Sequence, residues 1–274
     1  METGGNKPAE VRRVSLGGGA KALGLSFEPG FLRLLYYSDR NGQEYIGSES
    51  FPLSEAERVI SELPQDRHPL FAHAYSPVLS LVPKALFQDE EAGSWLRFTS
   101  DYNPDHNSLM WSNLHEYDAV VVYSIPREYE EWCSQRFPAL RISHPIEMQC
   151  RLMHRAGLDN AWTMIVNKTG SVALITAFEG KKLHLANAID SEHLEDLAYY
   201  ILYGTKQLPC KSDDLKILLL GDAAESDYLK EVLASCSVPL DQCLRMDFFA
   251  GQGSSVSSSS IAADVAAYAG GLCA

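Results

Sequence analysis

The stretch "KILLLGDAAESDYLKEVL", residues 216–233, joins a short apolar run to an amphipathic segment through one glycine. An uninterrupted apolar run is typical of a strand covered on both faces, and the residues after the glycine have the spacing of a helix. Such a junction places free helix N–H groups beside a strand end, where phosphates and sugars commonly bind. The surrounding sequence must decide whether this junction holds a nucleotide or is the remnant of one that did.

The second half of the chain predicts the order βββαβαβα around this junction. Two apolar or alternating runs flank a Thr-Gly turn and predict a hairpin, and a third alternating run follows them. These runs are "NAWTMIVNK" (160–168), "GSVALITAFEG" (170–180) and "KKLHLANA" (181–188). A helix over 190–208, the strand before Gly221, a helix from about Glu225 to Ser235, a strand "CLRMDFF" (243–249) and an Ala-rich final helix complete the order.

The first half repeats this order with additional residues. Its three strands are "ALGLSF" (22–27), "FLRLLYY" (31–37) and "EYIGSESF" (44–51), followed by a helix over 54–63. We equate the buried run "YDAVVVYSIP" (117–126) with the strand that begins at Leu215, because both are short and continuously apolar. A helix (127–137), a strand (139–143) and a helix (145–157) then complete the first copy.

These assignments predict a flexible N-terminal arm over residues 1–21, a first lobe over 22–157 and a second lobe over 158–274. The first lobe carries an extra segment at about 64–116 that has no counterpart in the second. This segment contains Trp95, Tyr102 and Trp111. The three rings either form a binding surface for a protein partner or pack onto the first lobe, since aromatic enrichment fits both interfaces and cores.

Composition argues against several classes of function. The net charge is −13 and no run of Lys or Arg forms a basic stripe, so a nucleic-acid partner is not expected. The six cysteines form no C-x-x-C pair, and His144, Cys150 and His154 lack a fourth ligand at suitable spacing, so no metal site is expected. No apolar run is long enough to span a membrane or to act as a signal peptide. We therefore expect a cytoplasmic protein.

Three antiparallel strands followed by parallel αβ units, present twice, resemble the duplicated ribonuclease H-like fold of the actin-like ATPase superfamily. The stretches "SPVLSLVPKALF", "YDAVVVYSIP" and "LAYYILYGTKQL" further resemble a bacterial domain-of-unknown-function family of that superfamily. The resemblance covers about residues 22–273. It implies a nucleotide cleft between two lobes, with a D-x-G-type turn in the first hairpin of each lobe that contacts phosphates and positions magnesium.

The positions that this resemblance assigns to the cleft are degenerate. They are Ser26, Asn167, Thr169, Gly170, Gly221 and Asp222. Ser26 and Asn167 stand where the superfamily places aspartates, and a neutral side chain cannot supply the charge that holds magnesium. Asp222 would repel a phosphate, and we interpret it as a cap of the helix that follows. The junction at Gly221 therefore resembles a remnant of a nucleotide site.

The leading hypothesis is a non-catalytic pseudo-ATPase, an adaptor that binds an unidentified protein partner, with no catalytic residues and no cofactor. It rests partly on analogy, because actin-like relatives in pilus assembly and cell division act as cytoplasmic platforms. The alternative is an ATPase or nucleotide-dependent switch that binds ATP and magnesium with non-standard residues. Asp222, Asp227 and Glu28 would then have to supply the missing carboxylates.

Overall fold

A computed structural model describes residues 21–40, 43–61, 71–156 and 162–236. The predicted N-terminal arm up to residue 20, the predicted strand over 243–249 and the predicted final helix lie outside these residues. The strands are β1 (Lys21–Glu28), β2 (Phe31–Arg40), β3 (Gln43–Pro52), β4 (Phe71–Ala74), β5 (Leu79–Pro83), β6 (Asn107–Leu114), β7 (Ala119–Pro126), β8 (Ile142–Ser143), β9 (Trp162–Thr169), β10 (Val172–Glu179), β11 (Lys182–Asp190) and β12 (Leu215–Gly221). The helices are α1 (Ala56–Ser61), α2 (Ala92–Thr99), α3 (Arg127–Arg136), α4 (Pro145–Ala156), α5 (Leu194–Gln207), α6 (Asp222–Glu225) and α7 (Asp227–Ser235).

Two sheets repeat one topology. The first has the order β3-β2-β1-β4-β8 and the second has the order β11-β10-β9-β12. In each, three antiparallel strands are followed by a strand that pairs in parallel with the first of them, β4 with β1 and β12 with β9. We call β1 to α4 the first lobe and β9 to α7 the second lobe. The α/β class is confirmed, and the two sheets share the order and direction of their first four strands.

The predicted equivalence between the strand at Tyr117 and the strand at Leu215 is wrong. Strand β7 belongs to a third sheet of order β5-β7-β6, in which it pairs antiparallel with both neighbours. Its continuous apolar run is explained by burial on both faces. Val121, Tyr123 and Ile125 pack into the large core, whereas Val120 and Val122 pack into a small separate core.

The true counterpart of β12 is β4, a strand of only four residues. The extra elements of the first lobe therefore follow β4 and run from β5 to β7, residues 79–126, beyond the predicted end at about residue 116. The division of the chain between residues 157 and 158 stays a prediction.

The two lobes share a core through α4. Ile146 of this helix belongs to the same buried cluster as Phe178 of β10. Thr176 Oγ1 of β10 donates a hydrogen bond of 3.0 Å to Gln149 Oε1 of α4, and both groups are buried. Contacts of this kind hold the second sheet against the first lobe directly.

His144 lies in this core just before α4 and is fully buried. Its Nε2 lies 3.0 Å from the carbonyl oxygen of Ser76, and the Ile146 N–H donates to its Nδ1 at 3.3 Å. This pair of contacts fits a neutral ring with the proton on Nε2. Burial lowers the pKa of His144 to about 4.

Candidate functional site

The register of the two first hairpins places Ser26 and Asn167 at equivalent positions. The hairpin of β1 and β2 closes with Glu28 opposite Phe31, and that of β9 and β10 closes with Thr169 opposite Val172. Ser26 and Asn167 each lie two residues before the closing residue of the first strand. Both are buried, with 4% and 0% of their surface exposed.

Tyr75 joins the two lobes at Asn167. It follows β4, and its backbone N–H donates to the Phe27 carbonyl at 2.9 Å. Its hydroxyl accepts a hydrogen bond of 3.1 Å from the Asn167 amide nitrogen in the interior. A side chain of the first lobe therefore contacts the second-lobe residue that stands at the expected aspartate position.

Tyr75 was not among the residues predicted from the sequence, because its position depends on the register of β4 with β1. Ala74 lies opposite Phe27 in the first sheet, and Gly221 lies opposite Lys168 in the second. Tyr75 is thus the first-lobe counterpart of Asp222. Assigning β4 correctly would have drawn attention to it.

The two hairpin turns also approach each other closely. A Cβ built on Gly170 of the second turn would lie 3.7 Å from Cδ of Pro29 in the first, which is ordinary van der Waals contact. Gly170 has a φ of +59°, a conformation that favours glycine. The two turns thus lie near each other, with room for a methyl group between the Pro29 ring and the Gly170 backbone.

Glu28 is buried beside these turns and forms an ion pair with Arg33. The Arg33 Nε and Nη2 atoms lie 2.5 and 2.9 Å from the two carboxylate oxygens. Burial raises the pKa of Glu28, the Arg33 guanidinium opposes this rise, and the Asp222 carboxylate adds to it. Both carboxylate oxygens of Glu28 accept hydrogen bonds from Arg33. The carboxylate is therefore engaged in this ion pair and is not free to bind a metal ion.

Asp222 does not cap the helix that it begins, so that interpretation is wrong. Gly221 is the N-cap residue, and no side chain caps α6. The Asp222 Oδ2 atom instead accepts a hydrogen bond of 2.9 Å from the Gly170 N–H, which ties the strand–helix junction to the hairpin turn. The buried Lys168 side chain donates to the Gly170 carbonyl within the same turn.

These residues do not fit a magnesium–nucleotide complex of the usual kind. Magnesium prefers anionic oxygens, and Ser26 and Asn167 are neutral. Thr169 is buried in β9, and Asp227 lies exposed in α7, where its described partner is Lys230 at 3.4 Å. Among the described residues, no group of three or more His, Cys, Asp or Glu side chains is arranged to hold a metal ion.

The three aromatic residues of the extra segment are half-buried. Trp95, Tyr102 and Trp111 pack against the small core of the third sheet, formed by Val82, Ala92, Leu96, Val120 and Val122. Two apolar residues nearby are far more exposed, Phe98 at 83% and Leu86 at 58%. Helical phase could have found Phe98, since it follows the buried Leu96 by two residues and so faces about 200° away.

Solved structures with the same architecture identify the fold class of this chain. One is a Bacteroides thetaiotaomicron protein described as having an actin-like ATPase fold and unknown function, with a TM-score of 0.67 and 17% identity. The alignment covers 78% of this chain and 86% of that one. A second is the PilM–PilN type IV pilus biogenesis complex, with a TM-score of 0.53, 14% identity, and coverage of 80% and 87%. The chain therefore has the actin-like ATPase fold.

The family follows from a match over residues 72–235, more than half of the chain. The chain belongs to the family described as "Protein of unknown function (DUF3822)". No curated protein matches it. Among the helices that the structure describes, none combines the length and the apolar character needed to cross a membrane.

Proposed function

We propose that this protein is a cytoplasmic pseudo-ATPase, which does not hydrolyse nucleotide and acts by binding a protein partner. The observation that carries the proposal is the hydrogen bond between the lobes from Asn167 to the Tyr75 hydroxyl. It lies beside the two hairpin turns, where the resemblance places the phosphates. A nucleotide bound there would have to displace this bond.

The chemistry of the turns supports the same conclusion. Hydrolysis of ATP needs a metal-bound or base-activated water near the terminal phosphate. Ser26 and Asn167 supply neither charge nor a base, and Glu28 is engaged by Arg33. Asp222 would place a negative charge beside a phosphate.

Two observations support a protein partner. PilM, which has the same fold as this chain, occurs in a complex with PilN, so a chain of this fold binds a protein in that case. In this chain, the first-lobe elements that have no counterpart within residues 162–236 of the second lobe expose Phe98 and Leu86 to solvent. We propose that the partner contacts this segment, with Trp95, Tyr102 and Trp111 as half-buried supports or direct contacts. The net charge of −13 disfavours a nucleic acid as that partner.

The alternative function is a nucleotide-binding switch. Lys168 favours it, because a buried ammonium group in the second turn could attract a phosphate. The two functions differ in one measurable respect, since a switch must bind ATP even when it does not hydrolyse it.

The first test measures phosphate release and melting temperature of the purified protein with ATP, with and without magnesium. We expect no hydrolysis above background and no increase in melting temperature, because a ligand that binds the native state raises its apparent stability. A raised melting temperature without hydrolysis would favour the switch. Steady phosphate release that disappears in Asp222→Ala would show an active site of a variant kind.

The second test concerns the partner. Proteins that bind the purified chain would first be identified. Their affinity for the variants Phe98→Ser, Leu86→Ser and Trp111→Ala would then be measured, together with the melting temperature of each variant. We expect Phe98→Ser to weaken binding without changing the melting temperature, since the ring of Phe98 is exposed. Truncation of a residue that dominates an interface lowers the binding free energy by about 2 kcal/mol or more. If only variants that also unfold lose the partner, the segment is core rather than interface.

A further inference from the structure

Three exposed tyrosines form a patch on helix α5 of the second lobe. Tyr199, Tyr200 and Tyr203 are 62%, 40% and 53% exposed. They are three of the seven exposed large apolar or aromatic side chains among the described residues, and they lie within five consecutive positions. The opposite side of the helix packs in the core of the second lobe through Leu197 and Ile201. We call these three residues the tyrosine patch.

The rings of the tyrosine patch contact one another rather than the core. The centroids of the Tyr199 and Tyr203 rings lie 6.1 Å apart with their planes 16° from parallel, and the Tyr200 ring lies edge-on to Tyr199 at 5.4 Å. Helix formation does not require these rings, because leucine, lysine and glutamate have a higher helix propensity than tyrosine. An exposed aromatic patch commonly marks an interaction site, and tyrosine is enriched among the residues that dominate protein interfaces.

Acidic side chains lie at one end of the tyrosine patch. Glu195 and Asp196 precede Tyr199 by four and three residues, so they lie on the same side of the helix, and both are exposed. The N-terminus of a helix carries about half a positive charge, which the two carboxylates exceed. Lys206, the only basic residue of α5, lies at the other end of the helix, three residues after Tyr203. The patch therefore meets an excess of negative charge at the N-terminal end of α5.

We propose that the tyrosine patch binds an arginine-bearing segment of a protein partner. A guanidinium group is planar and stacks on an aromatic ring, and its N–H groups form a fork that matches a carboxylate. Exposed rings and carboxylates on one side of a helix supply both of these contacts. A second copy of the chain would bring the same acidic residues and a net charge of −13 against this surface, so self-association is disfavoured.

This surface is separate from the one proposed above for the partner of the pseudo-ATPase. Phe98 and Leu86 belong to the first lobe, whereas α5 belongs to the second. Binding of an arginine-bearing segment at α5 does not depend on whether the chain hydrolyses ATP. The two proposals can therefore fail independently of each other.

The test measures binding of a short fluorescent peptide, in which arginine alternates with alanine and leucine, to the full chain by fluorescence polarisation. We expect the peptide to bind, and the double variant Tyr199→Ser/Tyr203→Ser to weaken binding about tenfold or more because the stacking surface is lost. The melting temperature of this variant should be retained, since both rings are exposed and serine and tyrosine have similar helix propensities. A peptide with lysine in place of arginine should bind about threefold more weakly, and one with glutamate should not bind.

Matched charge variants separate the tyrosine patch from a general attraction to an acidic protein. Glu195→Gln/Asp196→Asn removes two charges beside the patch and should weaken binding about tenfold at low salt. Glu130→Gln/Glu131→Gln removes two charges from exposed positions in α3 and should bind the peptide as the wild type does. Phe98→Ser removes an exposed ring of the first lobe and should also leave peptide binding unchanged.

Four results would overturn the proposal. The arginine peptide could fail to bind, Tyr199→Ser/Tyr203→Ser could bind it like the wild type, or the two pairs of charge variants could weaken binding equally. Sedimentation equilibrium supplies the fourth, because a dimer formed by the wild type and lost in the tyrosine variant would make a second copy the occupant of the patch. Loss of peptide binding in Phe98→Ser, with binding retained in the tyrosine variant, would place the peptide on the first lobe.

Discussion

Substitution of Gly221 by alanine tests the geometry of the junction between β12 and α6. Gly221 has a φ of +63°, which side chains other than glycine rarely adopt. A Cβ at this position would lie 2.1 Å from the Lys168 carbonyl oxygen and 2.9 Å from Asn167 Oδ1. Real Cβ atoms essentially never come within 3.0 Å of such an atom.

The magnitude of the expected loss follows from two costs. The Lys168 carbonyl belongs to β9, which is paired on both sides, with β10 and β12, so this strand resists displacement. The strained backbone conformation costs about 1–3 kcal/mol, and forcing a methyl group into a packed interior costs about the same again. We therefore expect Gly221→Ala to lower the free energy of unfolding by about 3 kcal/mol or more, measured by urea denaturation.

Gly204 in α5 supplies the matched control. A Cβ there would lie 3.5 Å from Met164 Cε and 3.7 Å from Leu185 Cδ2, both ordinary contacts. Because alanine is favoured over glycine in a helix by about 1 kcal/mol, Gly204→Ala should leave stability unchanged or raise it. A Gly221→Ala protein as stable as the wild type would refute the described approach of the junction to β9.

Three other predictions concern single buried groups. Tyr75→Phe removes the hydroxyl that accepts from Asn167, so the free energy of unfolding should fall by about 1–2 kcal/mol in urea denaturation, and no loss would contradict the contact between the lobes. Burial lowers the pKa of His144 to about 4 from the ordinary histidine value of about 6.5, so the stability that its neutral form contributes is complete above pH 6.5 and is lost as pH falls towards 4. That loss is about 3 kcal/mol, and urea midpoints at pH 7 and pH 4 should differ less in His144→Asn than in the wild type. Burial raises the pKa of Cys133 to about 12, so brief iodoacetamide treatment at pH 8 should modify the exposed Cys236 and spare Cys133, as mass spectrometry would show.

The sequence predicted the second lobe's sheet better than the first because its signals are local. The Thr-Gly turn and the two runs beside it define the hairpin of β9 and β10, and the long apolar run defines β12. In the first lobe, the equivalent of β12 is "FAHA" (71–74), which is four residues long and contains a histidine. The longer apolar run of β7 therefore resembles β12 more than the true counterpart β4 does. A continuous apolar run indicates only that both faces of a strand are buried. The antiparallel strand β7, which lies between the large core and a small core, has the same pattern as a parallel central strand.

Some features of the candidate site follow from short stretches of sequence, and others depend on contacts between residues far apart in the chain. The equivalence of Ser26 and Asn167 depends on the register of two tight hairpins, which residue type and spacing determine. The contact of Tyr75 with Asn167 joins residues 92 positions apart, and no local pattern encodes it. The partner of Asp222 was missed for the same reason, because helix-capping rules consider only the helix itself and not a hairpin turn 52 residues earlier.

The equivalent positions of the two lobes explain why one substitution should not create a nucleotide site. Tyr75 and Asp222 occupy matching places after β4 and β12, yet Tyr75 reaches across to Asn167 while Asp222 holds Gly170 of its own lobe. Asn167→Asp alone would bury a carboxylate against the Tyr75 hydroxyl. Such a charge is costly without a cation to pair with it. A metal would need a second carboxylate at Ser26 and space between the turns, so the lobes would have to separate and lose the hydrogen bond between Asn167 and Tyr75. The neutral residues and this hydrogen bond therefore act in the same direction, and both disfavour a site that one mutation could make active.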